Sequence, residues 1–307
     1  MLQTGTQILA LLGLFYLTLQ SYRFLSFIWI YFLRPSSVKK YLHGDQPYAL
    51  VTGATDGIGK AVAKQLYIRG FNLIIHGRNE KKTKQVVDEI RALGAGRRDI
   101  RYFLADATKA DHDFHQLLSP FKNLNITIRF VAHVEPAYRI DEWSSEEIMN
   151  IVKRNALFPL HIIQTLLPQL RRVNGPALVL NVGSYAGETP PPRLAIYAAS
   201  KRFVNTLGWA LSIDERYYTP TNVEFMYLVV GEVSTNSVQK EATLFCPNAD
   251  TFARSVIARI GCGRRQITPY IFHAVAQWLI ESCGKDMAVK IIAEVMRQLY
   301  YSDKKEE

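Results

Sequence analysis

The sequence predicts an α/β fold, a doubly wound parallel sheet forming a single domain behind a membrane helix, and three observations carry that expectation. Short apolar runs alternate six times with stretches of helical period, without internal repeats. A turn carrying Gly53, Gly57 and Gly59 directly follows the first of those runs. Ahead of both, Ile8 to Leu33 is mostly apolar. The expected layout is an anchor at residues 1–34, a linker at 35–47 and a globular domain at 48–307.

The N-terminal segment rises 1.5 Å per residue as a helix and is long enough for a hydrocarbon core of about 30 Å. It lacks the charged start and small-residue cleavage site of a removable signal peptide. Arg23 is costly at mid-membrane, so it snorkels, lies near an interface, or divides the segment into two short inserted pieces. Arg34, Lys39 and Lys40 follow the segment and no basic residue precedes it, which puts the remainder in the cytosol.

Composition narrows the partners. The 307 residues suit one core of about 250 residues plus an extra element. Lys and Arg number 37 against 27 acidic residues, and the excess of +10 is spread through pairs such as Arg171-Arg172 and Arg264-Arg265. No zinc-finger spacing or RNA-binding consensus accompanies it, so the charge favours anionic small molecules and a membrane surface, with no nucleic acid. Cys246, Cys262 and Cys283 form no metal or disulfide pattern and point to a reducing compartment.

The elements follow in order. Ala49–Val51, the glycine turn and the helical stretch from Ala61 form the opening strand, turn and helix of a Rossmann-type dinucleotide-binding sheet. Gly53 permits the turn, Gly57 lets a backbone approach a pyrophosphate, and Gly59 allows close helix–strand packing. The helix N-terminus offers N–H groups and a positive dipole end to phosphates. A second strand, Leu73–His76, ends at Arg78 where NAD binders often place a carboxylate; a guanidinium suits a 2′-phosphate, so NADP(H) is expected. A helix over Glu80–Leu93 and a strand over Ile100–Leu104 lead to Asp106, which can contact an adenine or cap its own turn. A helix over Phe114–Phe121 and a strand over Ile126–Val134 follow. Glu146–Leu170 is helical and crossed by Pro159, with the polar Asn155 in an apolar run that must supply it with hydrogen bonds. Pro176–Val182 is a strand ending at Ser184, Ala195–Ser212 a helix, and Val223–Val230 the sixth strand. Helices over Phe252–Ile260, Pro269–Ile280 and Met287–Tyr300 close the chain; the middle one is too short for a span and covers a greasy entrance, lies on a bilayer or packs.

The chemistry concentrates on one helix. Tyr197 and Lys201 stand at i and i+4, on one face. An ammonium near a phenol stabilises the phenolate and lowers its pKa from about 10, making Tyr197 an acid or base for an alcohol/ketone couple. Lys201 can also reach the nicotinamide ribose, and the Ser184 hydroxyl can hold the substrate oxygen.

TGATDGIG (52–59), Asp106, Asn155, Ser184 and YAASK (197–201) together resemble the short-chain dehydrogenase/reductase family. TDGIGKA, NALFPL and the anchor-plus-body layout look closer to its microsomal branch of very-long-chain 3-oxoacyl-CoA reductases and 17-beta-hydroxysteroid dehydrogenases. The resemblance implies a cofactor site of Thr52, Gly53, Thr55, Asp56, Gly57, Ile58, Gly59, Arg78, Asp106, Tyr197, Lys201, Val233 and Thr235. It also implies that Asn155 joins a water-mediated proton relay through Lys201. A long-chain 3-oxoacyl-CoA is the first expected substrate; a steroid or secondary-metabolite ketone is the rival on the same fold, and a catalytically weak nucleotide-binding scaffold the rival of another class. Two departures stand out. Ala132-His133-Val134-Glu135 replaces the family's Asn-Asn-Ala/Val-Gly and brings a carboxylate towards the ribose, and Val230-Gly231 replaces Pro-Gly. Lys304-Lys305, three and four from the end, match the di-lysine retrieval signal of endoplasmic-reticulum membrane proteins. Expected partners are a lipid bilayer, a hydrophobic ketone or acyl-CoA, a retrieval coat and a second copy of the chain; no metal is expected.

Overall fold

The computed structural model describes residues 2–94, 96, 98–109, 112–131 and 139–306. The Ala132–Glu135 departure lies outside the described residues. Helix α1, Leu2–Ile28, is unbroken and continues into a π-helical turn, Trp29–Leu33, so the apolar segment is one helix rather than two pieces. Gln3–Leu33 is long and apolar enough to cross a membrane.

Strand β1, Tyr48–Val51, leads through the glycine turn into α2, Gly57–Ile68; β2, Asn72–Gly77, is followed by α3, Glu80–Arg91. Strand β3, Ile100–Leu104, precedes the short α4, Phe114–Leu118, which tightens into a 3₁₀ turn at Ser119–Phe121. Strand β4 is Ile126–Val131. The long helical stretch after it is three pieces: α5, Ser145–Val152; a π turn, Lys153–Leu157; and α6, Phe158–Arg171. Strand β5, Ala177–Val182, α7, Ala195–Ile213, and β6, Val223–Leu228, complete the six expected units. Helix α8, Ala249–Arg259, starts three residues earlier than the periodicity indicates because Asn248 caps it, accepting from the Thr251 N–H. A two-residue strand, β7, Gln266–Ile267, then joins the sheet before α9, Ile271–Ser282, and α10, Lys285–Glu306.

The sheet is parallel in the order β3-β2-β1-β4-β5-β6-β7, the arrangement of a doubly wound fold whose chain reverses direction of growth between β1 and β4. Strands buried on both faces explain the continuous apolar runs: all residues of β1, β2 and β5 are buried. One core layer packs Val51, Ile75, Leu180 and Leu228 with α2 and α8, and the other packs Leu50, Ile74, Val179 and Phe225 with α6.

The segment between helix and sheet is part of this core. Tyr41 is fully buried and its hydroxyl donates to Glu224 at 2.9 Å. The end of the apolar helix is clasped by the same region. Arg264 donates to the Ser26 hydroxyl at 2.6 Å, Arg259 to the Tyr31 carbonyl at 3.0 Å, and Arg34 to the Gly261 carbonyl at 2.6 Å.

Candidate active site

The glycine turn is dictated by its backbone. Gly53 and Gly57 have φ of 61° and 51°, the left-handed region that a side chain disfavours. At Gly59 the reason is space: a Cβ there would stand 2.3 Å from the Gly53 carbonyl oxygen. Asp56 caps α2, accepting from the Gly57 N–H at 2.7 Å and from the Asn236 amide at 2.8 Å. That second bond draws the segment after β6 over the turn, and Thr235 packs beside Gly57.

A cleft of about 450 Å³ opens at the C-terminal edge of β1, β2 and β3, where α/β sheets hold ligands. Thr52, Gly53, Thr55, Asp56, Gly57, Ile58, Gly59, Arg78, Asp106 and Thr235 all line it, as does Lys82. Val233 does not; it is buried in the core below. Asp106 both lines the cleft and caps its own turn, accepting from the Thr108 N–H at 3.0 Å and hydroxyl at 2.8 Å. The Thr108 bonds, aided by Arg78, hold its carboxyl below the usual range.

His76 is a lining residue that periodicity could not single out, since in sequence it is one more member of a buried strand. Its Nδ1 accepts from the Gly53 N–H at 3.3 Å and its Nε2 donates to the Ala105 carbonyl at 3.0 Å, which defines the neutral tautomer. Burial pushes its pKa down to about 4. The ring therefore ties the first residue of the glycine turn to the end of β3 without adding charge.

The second cluster sits at the ends of β5 and β6 and the start of α7. Lys201 is buried, its Nζ lies 5.4 Å from the centre of the Tyr197 ring, and it donates to the Val182 carbonyl at 3.2 Å. Ser184 caps the turn Tyr185–Gly187: its Oγ accepts from the Ala186 N–H at 3.2 Å, which leaves the hydroxyl proton to donate elsewhere. One atom joins serine and lysine, because the Tyr227 hydroxyl accepts from the Ser184 N–H at 3.3 Å and donates to the Lys201 carbonyl at 3.2 Å. Asn155 is buried in the π turn, which packs against α7. Pro159 has no N–H to return to the carbonyl four residues back, and that carbonyl belongs to Asn155. Loss of this bond accounts for the local widening of the helix, a feature frequent at functional sites. The structure thus brings the ten cleft residues together in one place and Ser184, Tyr197 and Lys201 in another, with Asn155 on the turn beside α7.

The Val230-Gly231 departure is accommodated without strain. The Val230 carbonyl accepts from the Tyr185 N–H at 2.9 Å, and Gly231 lies against the buried ring of His273, whose Nδ1 accepts from the Gly231 N–H at 3.3 Å. Among the described residues no group of three or more potential metal ligands occurs.

Residues 47–243 match the short chain dehydrogenase family. The chain belongs to that family. This short chain dehydrogenase is 32% identical over 283 residues to the very-long-chain 3-oxoacyl-CoA reductase of Kluyveromyces lactis, a match covering 86% of this chain and 78% of that protein. It is 33% identical over 267 residues to the protein of the same name from Eremothecium gossypii, covering 81% and 74% respectively. A solved short-chain dehydrogenase from Sphingobium yanoikuyae in complex with NADPH shares the fold, with a TM-score of 0.62 and 19% identity over 78% of this chain and 94% of that one.

Family membership makes this chain an oxidoreductase that uses a nicotinamide dinucleotide. Its own residues fit the dinucleotide. The glycine turn leads into the N-terminus of α2 at the cleft, and Arg78 rather than a carboxylate follows β2.

Proposed function

We propose that the chain is a membrane-anchored reductase that converts a long-chain 3-oxoacyl-CoA to the 3-hydroxyacyl-CoA with NADPH, at the endoplasmic reticulum and facing the cytosol. The observation that carries the chemistry is the Lys201 ammonium, buried and 5.4 Å from the centre of the Tyr197 ring. In a buried setting that positive charge favours the phenolate, so Tyr197 gives up its proton readily to a carbonyl oxygen. When bound, the reduced nicotinamide supplies the hydride to the carbonyl carbon. The Ser184 hydroxyl donates to the same oxygen and orients it. Lys201 tunes Tyr197 and holds the nicotinamide ribose, and Asn155 supports proton return to Lys201. Thr52–Gly59 and Asp106 hold the rest of the dinucleotide, Thr235 closes over it, and Val233 supports the strand end from the core. Arg78 and Lys82 receive the 2′-phosphate.

The substrate class rests on the relatives named very-long-chain 3-oxoacyl-CoA reductase and on the basic excess, which suits CoA phosphates. Membrane residence suits an acyl tail. The clasp around Ser26 and Tyr31 supports a membrane register in which the span ends near Leu25. Leu2 to Leu25 covers about 36 Å as a helix, enough for the hydrocarbon core, and Arg23 then stands at the interface rather than the midplane. Recognition of Lys304-Lys305 by a retrieval coat belongs to the same reading.

The test is a substrate screen on the membrane-embedded protein with NADPH and NADH in parallel. Reduction of long-chain 3-oxoacyl-CoA, with NADPH preferred, is the expected result. Tight NADPH binding with no turnover on acyl-CoA, steroid or polyketide ketones would sink the enzyme reading.

A further inference from the structure

We propose that Tyr227 is a positioning residue that sets the spacing between Ser184 and the Tyr197–Lys201 helix, through a single buried hydroxyl lodged in a niche left by Gly183 and Gly187. The inference rests on the roles proposed above for Ser184, Tyr197 and Lys201.

Ser184 and Lys201 lie on separate elements, the end of β5 and the second turn of α7, and a proton and a substrate oxygen must meet between them. The main chains of both are bound to one side-chain atom. The Tyr227 hydroxyl accepts from the Ser184 N–H at 3.3 Å and donates to the Lys201 carbonyl at 3.2 Å. A phenol hydroxyl has one proton and lone pairs to accept with, so these two bonds use it in both capacities. Burial raises the Tyr227 pKa, and the hydroxyl stays protonated at the pH where the enzyme works.

The ring is fixed as firmly as its tip. Tyr227 belongs to β6, pairs with Asn181 of β5 and Gln266 of β7, and is 3% exposed. Its ring passes over Gly183, where a Cβ would stand 1.8 Å from Cζ and 2.1 Å from the hydroxyl oxygen. Gly187 forms the other wall, with a Cβ there 3.2 Å from the hydroxyl and 3.1 Å from Lys201 Cβ. Neither glycine has a positive φ, so backbone conformation does not demand them; room for the tyrosine does. Gly183 immediately precedes Ser184, so the residue that makes space and the residue that is positioned are neighbours. A rigid aromatic lever anchored in a central strand is a way to hold catalytic groups within the tolerance of about 0.5 Å that productive geometry requires.

The test compares Tyr227→Phe, which keeps the ring and removes the hydroxyl, with the parent and with Tyr197→Phe. Each is assayed as the full membrane-embedded chain for kcat, KM, the pH profile of kcat, thermal midpoint and NADPH affinity. Tyr227→Phe, which loses both hydrogen bonds, is expected to lower kcat about tenfold, equivalent to about 1.4 kcal/mol of activation free energy. It should displace the limb of the pH profile that reports Tyr197 while leaving NADPH affinity unchanged. Unchanged kcat and pH profile would overturn the proposal. So would loss of NADPH binding, because that assigns the hydroxyl to the fold at large. Gly183→Ala supplies the second arm: it should lose activity through the clash, and adding Tyr227→Leu should restore NADPH binding and thermal midpoint but not kcat. Full activity in Gly183→Ala alone, or full recovery of kcat in the pair, would contradict the positioning role. Should Tyr197→Phe retain turnover, the site reading itself fails; lost turnover there with an unaffected Tyr227→Phe removes only this inference.

Discussion

The two ends of the sheet's C-terminal edge are built in opposite ways. On the β1–β3 side, the turn that lines the cleft is a local object: eight consecutive residues, Thr52 to Gly59, carry both the backbone conformation and the close approach that define it. On the β5–β6 side, the proposed catalytic group is assembled from positions far apart in the chain. Asn155, Ser184, Tyr197 and Lys201 come from three elements, and Tyr227 from a fourth joins two of them. Local objects tolerate sequence change around them as long as the glycines remain. Assembled ones depend on every strand that sets a distance.

That contrast separates the variants. Beside the Asn236 bond to Asp56, the His76 bond to Gly53 is a non-local support of the turn, and it makes the cleft side acid-sensitive. The folded His76 pKa, about 4, lies below the unfolded value of 6.5. Between those values the unfolded chain binds more protons, so this contribution to stability is complete above pH 6.5 and declines as pH falls towards 4. The loss should reach about 3 kcal/mol, measured as the unfolding free energy across that window, with the slope absent in His76→Asn. A flat parent profile would break this side of the comparison. Gly59→Ala is smaller in stability and sharper in meaning. Its Cβ meets the Gly53 carbonyl, so stability should fall by about 1–3 kcal/mol in denaturant titrations. NADPH affinity should fall with it while kcat at saturating cofactor holds, the reverse of the pattern expected for Tyr227→Phe. If both variants changed kcat and affinity alike, the two ends would be one cooperative unit and the comparison would fail.

The same contrast explains what could be read in the sequence. Strand alternation, the glycine turn, Arg78 at the end of β2 and the i, i+4 pair Tyr197 and Lys201 are all short-range patterns, and the sheet order and cleft lining agree with them. Strand β7 escaped because two residues, Gln266–Ile267, carry no periodicity. His76 and Tyr227 escaped because in their strands they read as ordinary core residues; their roles arise from Gly53, Ser184 and Lys201, each remote in sequence. Val233, expected at the nicotinamide end, has its side chain buried in the core, while Thr235 lines the cleft. Hydropathy marks only the polar patch around Arg23 as a break in Ile8–Leu33, but polar contacts from Arg259, Arg264 and Arg34 divide it into an exposed length and a clasped end.

The most direct test of the central claim is the turnover of Tyr197→Phe with NADPH and a long-chain 3-oxoacyl-CoA. Removing one phenolic proton donor should cut kcat by about 10²- to 10⁴-fold while NADPH binding and the thermal midpoint stay close to those of the parent. Turnover retained at the parent rate would contradict the assignment of Tyr197 and, with it, the account of the site.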